Sequence, residues 1–214
     1  MILITNDDGY ESMNLHRLYD IAKTIDDEVK MVVSLENQSG VGNCSSSTKR
    51  IHSQKIDEGY IINGTPVDCI RYGLSKFHPS LILTGINNGY NIGVNCLLCS
   101  GTFMSAREGA NKGVKSMAIS VGVENNSSSY LIGEVVKEAL EIMFEEGHNK
   151  LTIGSCCLAE FKKTIDKEDY NNFFPNLYEI PYDDKSVGDY IRRSYRGGWC
   201  YLLKGKEKFL VIYY

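Results

Sequence analysis

The first 34 residues spell out strand, helix, strand, and that order leaves the chain few folds to choose from. Ile2 to Thr5 is a short continuous apolar run, as in a strand covered on both faces. Leu15, Leu18, Ala22 and Ile25 then recur at helical spacing, which predicts an amphipathic helix over residues 12–25. Val29 to Ser34 predicts a second strand. Such a unit closes as a right-handed crossover between parallel strands.

The alternation continues. Residues 35–47 read as a polar loop and 48–63 as a pair of strands. GTPVDC then opens a helix, with Thr65 as N-cap and Pro66 at its first position. Leu81 to Thr84 predicts a strand, the segment from Gly85 a long loop, Thr102 to Lys112 a helix and Ser116 to Val121 a strand. The expectation is an α/β fold, a Rossmann-like doubly wound and mostly parallel sheet. Further along, Tyr130 to Glu146 predicts a helix, Lys150 to Ser155 a strand, and the closing residues a hairpin turning near Gly205. We therefore expect a core over residues 1–155 that carries the site, and a C-terminal extension over 156–214 within the same domain.

The 214 residues carry a formal charge of -4, so no basic footprint exists for a long nucleic acid or an anionic membrane. Seven cysteines, an odd and scattered set, read as reduced thiols rather than a disulfide framework. With no basic leader before an apolar region and no long apolar stretch, the expectation is a soluble cytoplasmic protein.

In open α/β sheets, ligands bind beyond the carboxyl ends of the strands. Three polar loops leave such ends: NDDG, ENQSG and TGINNGYN. Adjacent Asp7 and Asp8 raise each other's pKa unless something cationic lies between them. With the Ser39 hydroxyl and the Asn87 amide carbonyl they make an all-oxygen set, suited to one Mg²⁺, Mn²⁺ or Ca²⁺ rather than to zinc. Side chains alternate along a strand, so the two carboxylates can share an ion only if the backbone turns between them, and Gly9 permits that turn. Separately, Ser100, Gly101 and Thr102 open a predicted helix, where free N–H groups and hydroxyls suit a phosphate. Glycines 89 and 93 would let the preceding loop approach, with Asn91 offering an amide donor.

Taken together, TNDDG, NQSGVG, GTPVDC, TGINNGYNIG and SGTFMSAREGA resemble the stationary-phase survival protein family SurE over about residues 1–122. That family comprises divalent-metal-dependent nucleotidases acting on nucleoside monophosphates. The resemblance implies that Asp7, Asp8, Ser39 and Asn87 hold one divalent cation per subunit, and that Asn91, Ser100, Gly101 and Thr102 form the phosphate pocket. It also implies that the C-terminal region builds a homodimer or homotetramer; mechanistically, the expectation is that Asp7 or Asp8 handles the attacking water. The implied activity is release of phosphate from nucleoside 5′-monophosphates, with 3′-monophosphates as a further substrate. The chain departs from the family pattern at Asn95, Cys96 and Cys99, at Thr84, and through its second half. A metal- and nucleotide-binding protein without turnover is thus the alternative.

Other readings fit the residues less well. Phosphatases that open on D-x-D-G use the first carboxylate as a covalent nucleophile, and Asn6 stands there. Asp57, in KIDEGY, lacks the apolar strand setting of a phosphoacceptor. CLLC at 96–99 has no second pair at zinc-ligand spacing. The histidines at 16, 52, 78 and 148 lie outside the motif loops.

Overall fold

The structure, a computed structural model, describes residues 1–89, 91, 98–121 and 136–137, together with the strands at 153–160, 198–202 and 208–213. One sheet runs through it in the order β3-β4-β2-β1-β5-β6-β7-β9-β8. The strands are β1 (Ile2–Thr5), β2 (Val29–Ser34), β3 (Ser53–Ile56), β4 (Gly59–Ile62), β5 (Leu81–Asn88), β6 (Lys115–Val121), β7 (Ile153–Glu160), β8 (Gly198–Leu202) and β9 (Lys208–Tyr213). From β4 through β7 every pairing is parallel, while β3, β8 and β9 pair antiparallel at the two edges. The doubly wound expectation is met, including the C-terminal hairpin.

The apolar run of β1 works on both faces, as its composition requires. Ile2 and Ile4 pack with Leu15, Leu18, Ile21 and Ala22 of α1 (Met13–Lys23) on one side. Leu3 packs on the other with Cys69 and Ile70 of α2 (Pro66–Lys76). The third helix, α3 (Gly101–Asn111), covers the same face as α2: a Cβ at Gly109 would come within 2.5 Å of the Ile82 side chain. With both faces covered, the parallel strands are mainly apolar, and the polar side chains buried on them, among the described residues, are small hydroxyls: Thr5, Ser34, Thr84, Ser116 and Ser120.

Two expectations need correction. β5 runs on to Asn88 rather than ending at Thr84, because its pairing with β6 resumes after a register shift, with Asn87 opposite Ser120 and Asn88 opposite Val121. Gly85 makes the shift possible: at φ +133 its missing Cβ would lie 2.3 Å from the Ile119 carbonyl oxygen. Asn87 therefore sits at a strand end and not in a loop. β7 spans Ile153–Glu160 instead of 150–155, held in register by β6 on one side and β9 on the other. The helix expected over 130–146 lies outside the described residues apart from 136–137, which are helical.

The capping chemistry read at GTPVDC is present and does more than start a helix. The Thr65 hydroxyl accepts from the Asp68 N–H, and Asp68 accepts in return from the Thr65 N–H at 2.9 Å. Both Asp68 oxygens also accept from the Ser46 N–H, so one buried carboxylate ties the polar loop after β2 to the start of α2. Burial pushes this carboxyl upward, but the hydrogen bonds from Thr65 and Ser46 outweigh it and leave the pKa below the ordinary value. A depressed folded pKa gives stability that is present above the unfolded pKa and lost as pH falls through the folded one. Asp68→Ala is expected to cost about 2 kcal/mol. Urea unfolding at neutral pH checks the loss, and the gap from wild type should close as the pH is lowered past the carboxylate range.

Candidate functional site

The chain leaves β1 toward β2 on one side and leaves β5 toward β6 on the other, so the order reverses between β1 and β5. At such a switch point the loops beyond the strand ends part and open a crevice. Asn6 to Tyr10 follow β1 here, and Asn87 and Asn88 end β5. The loop after β2 closes the third side: the Gln38 N–H donates to the Asp7 carbonyl at 2.6 Å, and the Tyr10 N–H to the Ser34 carbonyl at 3.1 Å.

The turn that the adjacent aspartates demand is formed. Gly9 has φ +91, and its missing Cβ would lie 3.1 Å from the Glu36 backbone. The Asn6 side chain closes the turn by donating from Nδ2 to the Gly9 carbonyl at 2.9 Å. Asn6 went unnoticed as a building block in the sequence, although an asparagine bonding to a nearby backbone group is a local turn signal.

Asp7 and Asp8 then face different partners. Asp7, 3% exposed, receives the Thr102 hydroxyl on Oδ1 at 2.5 Å and the Thr102 N–H on Oδ2 at 3.2 Å. Burial raises its pKa, against the lowering pull of these bonds. Asp8 lies near the Asn88 N–H and the Ser39 hydroxyl, which favour its charged form; burial and then the negative charge of Asp7 outweigh them and raise its pKa. Its Oδ2 is buried without a hydrogen-bond partner. A carboxylate beside a second carboxylate, with one oxygen left over, is a donor set that a cation completes.

The expected phosphate residues divide in the same way. Ser100 is the N-cap of α3, its Oγ accepting from the Phe103 N–H at 3.0 Å. Thr102 is fully buried and directs both its donors to Asp7, so the anion at this helix start is the Asp7 carboxylate of the chain itself. Gly101 lets the two meet, since a Cβ there would be 2.9 Å from the Asp7 Cβ and 3.2 Å from the Pro66 ring. Asn91 is buried and donates from Nδ2 to the Ser120 hydroxyl on β6 at 2.7 Å. Asn87 donates one of its two Nδ2 hydrogens to the Gly89 carbonyl at 3.1 Å, which fixes the orientation of its amide. Tyr90, Asn95 and Cys96 lie outside the described residues.

Among the described residues no three His, Cys, Asp or Glu side chains gather in a metal-holding group, so an ion here relies on two carboxylates, neutral oxygens and water. That balance fits a hard oxygen-seeking cation and not zinc. Cys69 beneath the site is fully buried, with its thiol pushed up to about 12 by desolvation, which removes it as a nucleophile. At the opposite end of the sheet a surface groove of about 560 Å³ is lined by Arg71, Phe77, His78 and Lys112. Arg71 spends its charge on Glu108, 2.8 Å away.

Three comparisons bear on this geometry. The family described as "Survival protein SurE" matches residues 2–177. A protein named "5′-nucleotidase SurE" from Maridesulfovibrio salexigens is 39% identical over 126 residues, 56% of this chain and 50% of that protein. Another of the same name, from Caldanaerobacter subterraneus subsp. tengcongensis, is 30% identical over 172 residues, 77% of this chain and 67% of its own length. The match thus spans from half to two thirds of these relatives. The crystal structure of the SurE protein from Aquifex aeolicus superposes with a TM-score of 0.67 at 24% identity, covering 99% of this chain and 82% of that one, which supports the fold.

Proposed function

The chain belongs to the SurE survival-protein family, and from that premise we propose that it is a divalent-cation-dependent phosphatase releasing phosphate from nucleoside 5′-monophosphates, with 3′-monophosphates as a further substrate. The observation that carries this reading is the unpartnered Asp8 oxygen beside Asp7 at the switch point of the sheet. Asp7, Asp8, Ser39 and Asn87 would hold the cation. When bound, it supplies charge neutralisation and polarisation of a phosphoryl oxygen.

The chain's own groups do the rest. Thr102 holds Asp7 fixed through two hydrogen bonds, so Asp7 serves as a rigid anionic wall. Asp8 orients the attacking water and takes its proton through the carboxylate oxygen not given to the cation. Water oxygen then bonds to phosphorus in line while the ester P–O bond breaks, the electron pair leaving with the nucleoside oxygen, which takes up a proton from water. Ser100 and Gly101, at the start of α3, and Asn91 flank the path of the phosphate.

The thiols of Cys44, Cys69 and Cys99 are unpaired, which suits the reducing cytoplasm. Among the described residues no helix is long and apolar enough to cross a membrane. The working unit in this reading is a homo-oligomer built through the C-terminal extension.

The test is phosphate release from a panel of nucleoside 5′- and 3′-monophosphates with Mg²⁺, Mn²⁺ or chelator. Wild type should release phosphate only with metal, and Asp7→Ala should lower the rate at least about 100-fold. Nucleotide binding in Mn²⁺ without any release would instead identify a binding protein that has lost turnover, the reading favoured by the departures at Asn95 and Cys96.

A further inference from the structure

Asn6 is completely buried, yet only one end of its amide is satisfied. Its donation to the Gly9 carbonyl fixes which end is which, because two carbonyl oxygens cannot bond to each other. The other end, Oδ1, therefore stays an acceptor, and it is buried without a donor. Asp8 Oδ2, in the same turn, is in the same condition. Native proteins leave few such groups, and each calls for an ion or water that completes it.

We propose that Asn6 is a positioning residue of the cation site, its Nδ2 locking the turn that presents Asp7 and Asp8 and its Oδ1 accepting a hydrogen bond from a water carried by the bound cation. The inference rests on the cation reading above. The amide bridges Asn6 to Gly9 across both aspartates, so it is tied to the carboxylates whose spacing the ion requires. A magnesium-type ion keeps several waters, and acceptors around those waters fix their orientation. The neutral amide does this without adding a third negative charge to an already repulsive pair.

The probe is Mn²⁺ alone, with free ion counted by electron paramagnetic resonance in wild type, Asn6→Ala and Asn6→Asp, alongside metal-free unfolding curves. Asn6→Ala should weaken Mn²⁺ binding about 10- to 100-fold. Asn6→Asp keeps the acceptor, loses the donation to Gly9 and adds a negative charge whose pull on the cation offsets the lost lock, so it should bind Mn²⁺ at least as tightly as wild type while melting at a lower temperature without metal. An unchanged affinity in Asn6→Ala would overturn the proposal. So would an Asn6→Asp variant weakened by ten-fold or more, since the Gly9 clamp alone would then explain the residue, and this arm decides if Asn6→Ala does not fold. Wild type that fails to bind Mn²⁺ would overturn the cation reading itself, a separate result from either variant outcome.

Discussion

Asp8→Asn is expected to lower metal-dependent phosphate release about 1,000-fold, the scale set by removing a charge-stabilising group from a buried reaction centre, and to raise the melting temperature of the metal-free protein. Both effects follow from one placement. Asp8 is pressed against Asp7, its pKa raised by burial and by that neighbour, and one oxygen has no partner. A raised folded pKa means that the deprotonated group works against the fold: its stability contribution is present below the unfolded pKa and lost as pH rises through the folded one. The amide removes that charge with little change of shape, so the apoprotein gains while the cation loses a ligand. Calorimetry with and without Mn²⁺, beside a phosphate assay, checks the pair of results. A variant that keeps both activity and its metal-induced shift in melting temperature would exclude Asp8 from the site.

Gly101→Ala is the second large effect. At a helix start whose φ is not in the left-handed region, alanine would ordinarily stabilise by about 0.4–1 kcal/mol through the unfolded chain. Here its methyl would lie 2.9 Å from the Asp7 Cβ, 3.0 Å from Asp7 Oδ2 and 3.2 Å from the Pro66 ring. None of these is the free end of a flexible side chain. Overpacking of this kind costs about 1–3 kcal/mol, so the clash wins over the propensity. Displacing Asp7 from Thr102 by even a fraction of its contact distance should also cut turnover about 100-fold. Unfolding curves and phosphate release on the same preparation separate the two losses.

Much of this arrangement is legible in the sequence where the signal is local. The apolar run of β1, the Thr65–Pro66 helix start and the polar loops at strand ends each state their own role, and the alternation of strands and helices states the doubly wound class. What is not legible depends on partners distant along the chain. β5 outruns its apolar stretch because β6 accepts it in a shifted register, which no reading of residues 81–88 alone could show. Thr102 announces an anion at a helix start, but not that the anion is Asp7, 95 positions earlier. In the sequence Asn6 only argues against a covalent mechanism, and its grip on Gly9 emerges once the turn is built.

The Asp7–Thr102 contact also has a temporal meaning. A growing polypeptide folds from its amino end as length becomes available, and β1, α1 and β2 have all been made before residue 35. The turn held by Asn6 and Gly9 is then present, but Asp7 still lacks its Thr102 anchor. In the cation reading proposed above, the Thr102 anchor of Asp7 is complete only after α3 has emerged and docked, which makes ion affinity a late acquisition in synthesis. Prematurely terminated products ending before residue 100 would carry both aspartates without the Thr102 anchor, and would not compete with complete chains for the metal.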